Sequence, residues 1–226
     1  MSQLRRALYF VGDSIDVLKA LPRSVQHGLG TALRLAQEGN KDPNAKPLKG
    51  FGGASVLEVV EDFDGNTYRA VYTVRLRSGR LRAALLSEKE QERHSDVETR
   101  SGPDSAPAQA GDRTRQGIGA MKIKKAKDNI FAELGFERPE EEAAKVDLAY
   151  EIFTILKSRK LTQTKAAALL DISQADVCKL MNVRPHGFSL DRLIAILTRL
   201  ERDVEIRVTK SPASRRLGKV KTVLAA

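Results

Sequence analysis

The residues from Leu161 to Leu197 constrain this chain more tightly than any other stretch. Ala166, Leu169, Leu170, Ile172, Val177, Leu180 and Met181 recur at helical spacing, with one break at Asp171-Ile172-Ser173. Ser173 suits the position just outside a helix, because its hydroxyl can accept from the backbone N–H groups that open the next turn. The spacing therefore predicts a short helix from about Thr162 to Leu170 and a second from about Gln174 to Met181, meeting at a steep angle. Ala167, Leu170, Ile172 and Val177 would be buried between them. Gln174, Ala175, Asp176, Lys179 and Asn182 would face outward on the second helix, free to enter a groove. This is a helix-turn-helix arrangement. An ordinary helical hairpin is the alternative, and the short polar face with basic flanks weighs against it.

Charge points the same way. The chain has 39 Lys and Arg against 29 Asp and Glu, a net charge of +10. Of that, +7 lies in residues 121–226, with +2 in 1–76 and +1 in 77–120. A basic surplus favours a polyanionic partner. The single cysteine, Cys178, excludes a disulfide framework and fits a reducing cytoplasm. No apolar run approaches the roughly 18 residues needed to span a bilayer, and no leader pattern opens the chain. A cytoplasmic protein with no membrane partner is expected. His186 has no second metal ligand at a suitable spacing, His94 reads as solvated and His27 as helix surface. Neither metal nor cofactor is therefore expected.

Residues 1–76 read as a small α+β unit. Ala7 to Val11 is a strand-like run ended by Gly12-Asp13, Ser14 can cap a short helix, and Pro22 opens another. Val25, Leu29, Ala32, Leu33 and Ala36 keep helical spacing until Gly39-Asn40. Two strands follow, Ser55–Glu61 and Thr67–Val74, with Asp64-Gly65-Asn66 between them as a hairpin signal.

The runs FVGDS, ALP, AQEGNKDPNAKPLKGFGG and LEVVEDFDGNTYRAVYTV resemble the phage-derived branch of HigB-type toxins, within the RelE superfamily. The resemblance covers about residues 8–76. It implies helices on a small antiparallel sheet and an activity that cuts messenger RNA, usually on the ribosome. It also implies that Lys46 and Lys49 hold the RNA backbone and that Arg69 stabilises charge on the scissile phosphate. Tyr68 or Tyr72 would pack nearby. Cleavage by a 2′-hydroxyl needs cations fixed at the phosphate, and the planar fork of Arg suits that role.

The family pattern then stops. Relatives continue into a strand and a motif of the form LHxFxKKS, whereas this chain has RSGRLRAALL and then a polar run with Gly, Pro and Ser. Residues 77–120 read as linker or disorder by composition. The unit before them would be a remnant sheet lacking its last strand and part of its catalytic site. A reading-frame shift near residues 75–77 would explain the break. Read one base out of frame, the codon degeneracy of Arg80 to Glu90 permits Val-Tyr-Val-Leu-His-Ser-Phe-Gln-Lys-Lys-Ser, which restores the missing motif.

Met121 onward has a different style. NIFAELGF, LTQTKAAALLDISQADVCKLM, GFSLDRLIAIL and DVEIRV resemble HigA-like antitoxins of the Cro/C1 (XRE) helix-turn-helix class, over residues 121–210. The fold expected is all-α, with a C-terminal strand at Val204–Val208 that would pair with its twin in a second copy. Gln163 and Thr164, at the start of the first helix, are candidates to meet phosphate. Gln174, Asp176 and Lys179 are placed to reach base edges or adjacent phosphates, and Gln can address adenine and Lys guanine. Asp176 could accept from cytosine or cap its helix. Arg184 is a further backbone candidate. The expected partners are double-stranded operator DNA, a second copy, and a cognate toxin or the chain's own N-terminal half. Residues 211–226 form a basic tail, either solvated or touching DNA non-specifically.

Overall fold

The computed structural model describes residues 6–48, 56–73, 122–213 and 218–223, and the backbone of 81–90. Strand β1 (Leu8–Val11) is a short apolar run, and Gly12, with φ at +63°, turns the chain into helix α1 (Ser14–Ala20). Helix α2 (Arg23–Gln37) follows Pro22 and carries Leu29, Leu33 and Ala36 into the core. Strand β2 (Lys46–Pro47) leads to the hairpin β3 (Val56–Phe63) and β4 (Asn66–Thr73). Asp64 and Gly65 both have positive φ, 50° and 76°, as a two-residue hairpin turn requires. Alternation puts Leu57 and Val59 with Tyr68, Ala70 and Tyr72 on the face covered by α1 and α2.

Two strands depart from the sequence reading. Leu81–Glu90, expected to be linker, form β5, antiparallel to β4 and parallel to β1. The remnant sheet therefore does not lack a strand beside β4. Composition misled here because a ladder is built from backbone groups, which a polar sequence carries as well as an apolar one. The remainder of 77–120 lies outside the described residues. The second departure is β6 (Ile123–Lys125), which pairs antiparallel with β1, Val11 opposite Ile123 and Tyr9 opposite Lys125. The sheet order is β2-β3-β4-β5-β1-β6, so the C-terminal half supplies one edge of the N-terminal sheet.

Beyond β6 the described chain is helical: α3 (Ile130–Glu133), α4 (Pro139–Ser158), α5 (Gln163–Leu170), α6 (Gln174–Met181) and α7 (Leu190–Arg199). Ile152, Ile155 and Leu156 of α4, Leu170 of α5, Val177 and Leu180 of α6 and Leu193 and Leu197 of α7 share one core. The expected strand at Val204–Val208 does not form within one chain. Ile206 and Val208 stand 74% and 91% exposed there, with no sheet edge beside them among the described residues. No described helix is long and apolar enough to cross a membrane.

Candidate nucleic-acid interface

The first turn of α5 is set by Thr162, whose Oγ1 accepts from the Lys165 N–H at 3.3 Å, and that of α6 by Ser173, whose Oγ accepts from the Asp176 N–H at 3.1 Å. Between the helices Asp171 takes a left-handed conformation, φ 50°, which makes the turn sharp. Val177 and Leu180 bury one side of α6. Gln174, Ala175 and Lys179 of α6 are exposed, as are Gln163 and Thr164 at the start of α5. Gln174 Nε2 donates to Thr164 Oγ1 at 3.2 Å, so the first residues of the two helices are already oriented toward each other.

Three other candidates are committed within the protein. Asp176 accepts from Arg192 Nη2 at 2.7 Å and pairs with Lys179 Nζ at 3.3 Å. The Arg192 hydrogen bond is the main cause holding its carboxyl below the usual range. A carboxylate tied to two cations repels an approaching anion less than a free one would. Asn182 does not face outward as expected. Its Nδ2 donates to the Cys178 carbonyl at 2.9 Å and lies 3.5 Å from Cys178 Sγ, finishing the helix end.

Arg184 is the larger correction. It is not free for the DNA backbone: Nη1 donates to Asp42 Oδ2 at 2.8 Å, and Nε donates to Glu61 Oε1 at 2.9 Å. Both carboxylates belong to the N-terminal half. Burial pushes the Glu61 carboxyl upward, against the pull of Arg184. Sequence reasoning missed this pairing because nothing local marks it.

Arg184 is one part of a longer seam. Arg34 of α2 and Asp147 of α4 form a buried pair, side chains 0% and 4% exposed, with Arg34 Nη2 donating to Oδ2 at 2.8 Å and Nε to Oδ1 at 3.2 Å. His27, expected on a helix surface, is buried. Its Nε2 lies 2.9 Å from Glu142 Oε2 and its ring packs near Phe131, Phe136 and His186. That hydrogen bond is the leading cause holding Glu142 at about 2. Phe131 and Leu134 press on Gly30, where an added Cβ would sit 3.2 and 3.3 Å from them. Part of the basic tail also returns to the seam, where Lys219 pairs with Glu140 at 3.2 Å and Thr222 donates to Asp147. Lys219 is therefore not a freely solvated charge.

Of the toxin-like residues, Lys46 and Arg69 share one sheet face beside Glu58, and Tyr68 does not join them. Lys46 stands opposite Glu58 across β2 and β3, and Arg69 Nη1 donates to Glu58 Oε1 at 2.9 Å, all on the outer sheet face. Tyr68 points the other way, into the core, as adjacent strand residues must. Tyr72 is buried with it, and burial pushes its phenol upward. Lys49 lies outside the described residues.

Residues 130–209 match a family described as a helix-turn-helix domain. Residues 16–82 match the family described as phage derived protein Gp49-like (DUF891). A solved structure of a protein named as an XRE family transcriptional regulator is 40% identical, covering 38% of this chain and 97% of its own, with a TM-score of 0.35. A comparison with curated proteins found no match. The second family match ends at residue 82, close to where the toxin-like pattern stops. The chain therefore joins a Gp49-like domain to a helix-turn-helix domain.

Proposed function

We propose that this chain is a transcriptional regulator that reads double-stranded operator DNA through α5 and α6. In this reading it acts as a homodimer in the cytoplasm and represses its own toxin–antitoxin operon while carrying a truncated or frame-shifted toxin half. One observation carries the reading: Gln163, Thr164, Gln174, Ala175 and Lys179 stand open on one face while the N-terminal half docks elsewhere, along β6, α3, α4 and the end of α6. The intact chain can thus meet DNA without separating its halves. Gln174 keeps its carbonyl oxygen available while its amide is oriented by Thr164, and Gln suits adenine as Lys suits guanine. The alternating, exposed Ile206 and Val208 support strand pairing with a second copy.

The seam supports a role for the N-terminal half as an internal partner. Arg69 engaged by Glu58 and Tyr68 in the core favour that role over messenger-RNA cleavage. Growth arrest on expression, abolished by Arg69→Ala, would restore the nuclease reading. The frame shift is tested by the coding DNA: codons of Ala84–Leu85 that cannot give His out of frame would remove it.

Footprinting the full chain on DNA upstream of its own gene, at moderate salt, tests the main proposal. Protection is expected. Gln174→Ala and Lys179→Ala should relax sequence preference, and Gln163→Ala should weaken binding to all sequences alike. Absence of any protected site would overturn the reading.

A further inference from the structure

Helix α6 ends on an unusual residue. The Val183 N–H donates to the Leu180 carbonyl at 3.0 Å and the Arg184 N–H to the Lys179 carbonyl at 2.8 Å, the paired bonds of a Schellman end. That motif needs a left-handed residue at its centre, usually Gly. Here it is Val183, with φ at 52°, where a β-branched side chain is disfavoured. Such a conformation persists only where the surroundings fix it. Val183 is itself fully buried, which accounts for part of the hold.

The remainder comes from Arg184. Its Nη1 donates to the carbonyls of Asn182, at 2.9 Å, and Val183, at 3.3 Å, so the guanidinium wraps back over the end of the helix. Asp42 and Glu61 then clamp it from the other half. Both carboxylates are also held from within their own half. Asp42 is fully buried and its Oδ1 already accepts from the Asn44 N–H at 2.8 Å. The Glu61 carboxyl lies over Gly28, where an added Cβ would fall 2.5 Å from its carbon, so the site depends on a residue without a side chain.

We infer that Asp42 and Glu61 are positioning residues of the DNA-reading helix, fixing its C-terminal end through Arg184. The N-terminal half thereby has a part in DNA recognition without touching DNA. Only this last step rests on the DNA-binding reading. The link is short: the carbonyl that receives the Arg184 N–H belongs to Lys179, a residue of the reading face.

The test uses the full chain with Asp42→Asn and Glu61→Gln together, which remove charge and keep volume. Lys19→Met serves as a control, since it breaks the Lys19–Glu133 pair at another place on the seam. Amide hydrogen exchange at 182–184 should quicken by about tenfold in the double variant while the amides of α4 keep their rates. No change at 182–184, or an equal change throughout the unit, would overturn the inference. The preference for the chain's own upstream DNA over random duplex should fall by about fivefold or more, with the salt dependence unaltered because no phosphate contact is lost. An unchanged preference, or the same fall with Lys19→Met, would overturn the DNA step. If the unaltered chain shows no preference, the proposed function fails and the DNA step with it, and exchange still decides whether the latch exists. Glu61→Gln alone keeps Asp42 and should give the same local effect at smaller size, which separates the latch from general misfolding.

Discussion

The two halves of this molecule are held in different ways. In the helix-turn-helix half, four of the five described helices start on a side-chain cap from a neighbour in sequence, while α4 opens on Pro139 with Glu140, Glu141 and Glu142 in its first turn and no such cap. Asn129 accepts from the Phe131 N–H, Thr162 from Lys165, Ser173 from Asp176 and Ser189 from Arg192. In the N-terminal half neither α1 nor α2 has a side-chain cap. Its sheet is finished by β6, and Arg34, His27, Asp42 and Glu61 find partners across the seam. Arg23 likewise donates to the carbonyls of Leu134 and Gly135, at 3.0 and 2.8 Å. One half is specified locally, and the other is completed by contact.

The strongest way to break this contrast is Phe131→Ala. The ring projects from α3 and is fully buried against Gly30 and His27 of α2 and against Phe136, so truncation should cost about 3–5 kcal/mol. Exchange should show the loss concentrated in α2 and the sheet, with α5 to α7 still protected. A uniform loss would mean that the halves fold as one unit. Asp147→Ala comes next. It leaves Arg34 buried with Glu38 as its remaining carboxylate among the described residues, at a cost of about 3 kcal/mol, and denaturant unfolding should lose the N-terminal half first.

Acid should act on the seam through Glu142. Its carboxyl is held at about 2, below its ordinary 4.5, so its contribution is complete above about 4.5 and is lost as pH falls toward 2. Docking should weaken across that window, and Glu142→Gln should flatten the pH response. The smallest effect expected is from Ser173→Ala. Losing this cap should cost about 1 kcal/mol, confined to α6, and leave the N-terminal half unchanged in exchange.

The same contrast explains what could be read from the sequence. The limits of α5 and α6 were legible because caps and apolar spacing lie within a few residues of one another. The β3–β4 hairpin was legible because Asp64-Gly65 suits one turn type. Arg184 was not legible, since its partners lie 142 and 123 residues away in the chain. His27 was misplaced because its helix periodicity reports one buried face, while α4 and Phe131 cover a second. Strand β5 was missed because its pairing rests on backbone groups from β4 and β1, and composition carries no record of them.

The central claim is that the N-terminal half is held to the helix-turn-helix half by the seam itself, not merely by the chain between them. An engineered protease site at residues 103–105, cleaved in the folded chain, tests it most directly. The cleaved protein should sediment as one particle of unchanged mass at micromolar concentration, and Asp147→Ala should make it come apart. Separation of the unaltered halves after cleavage would contradict the account.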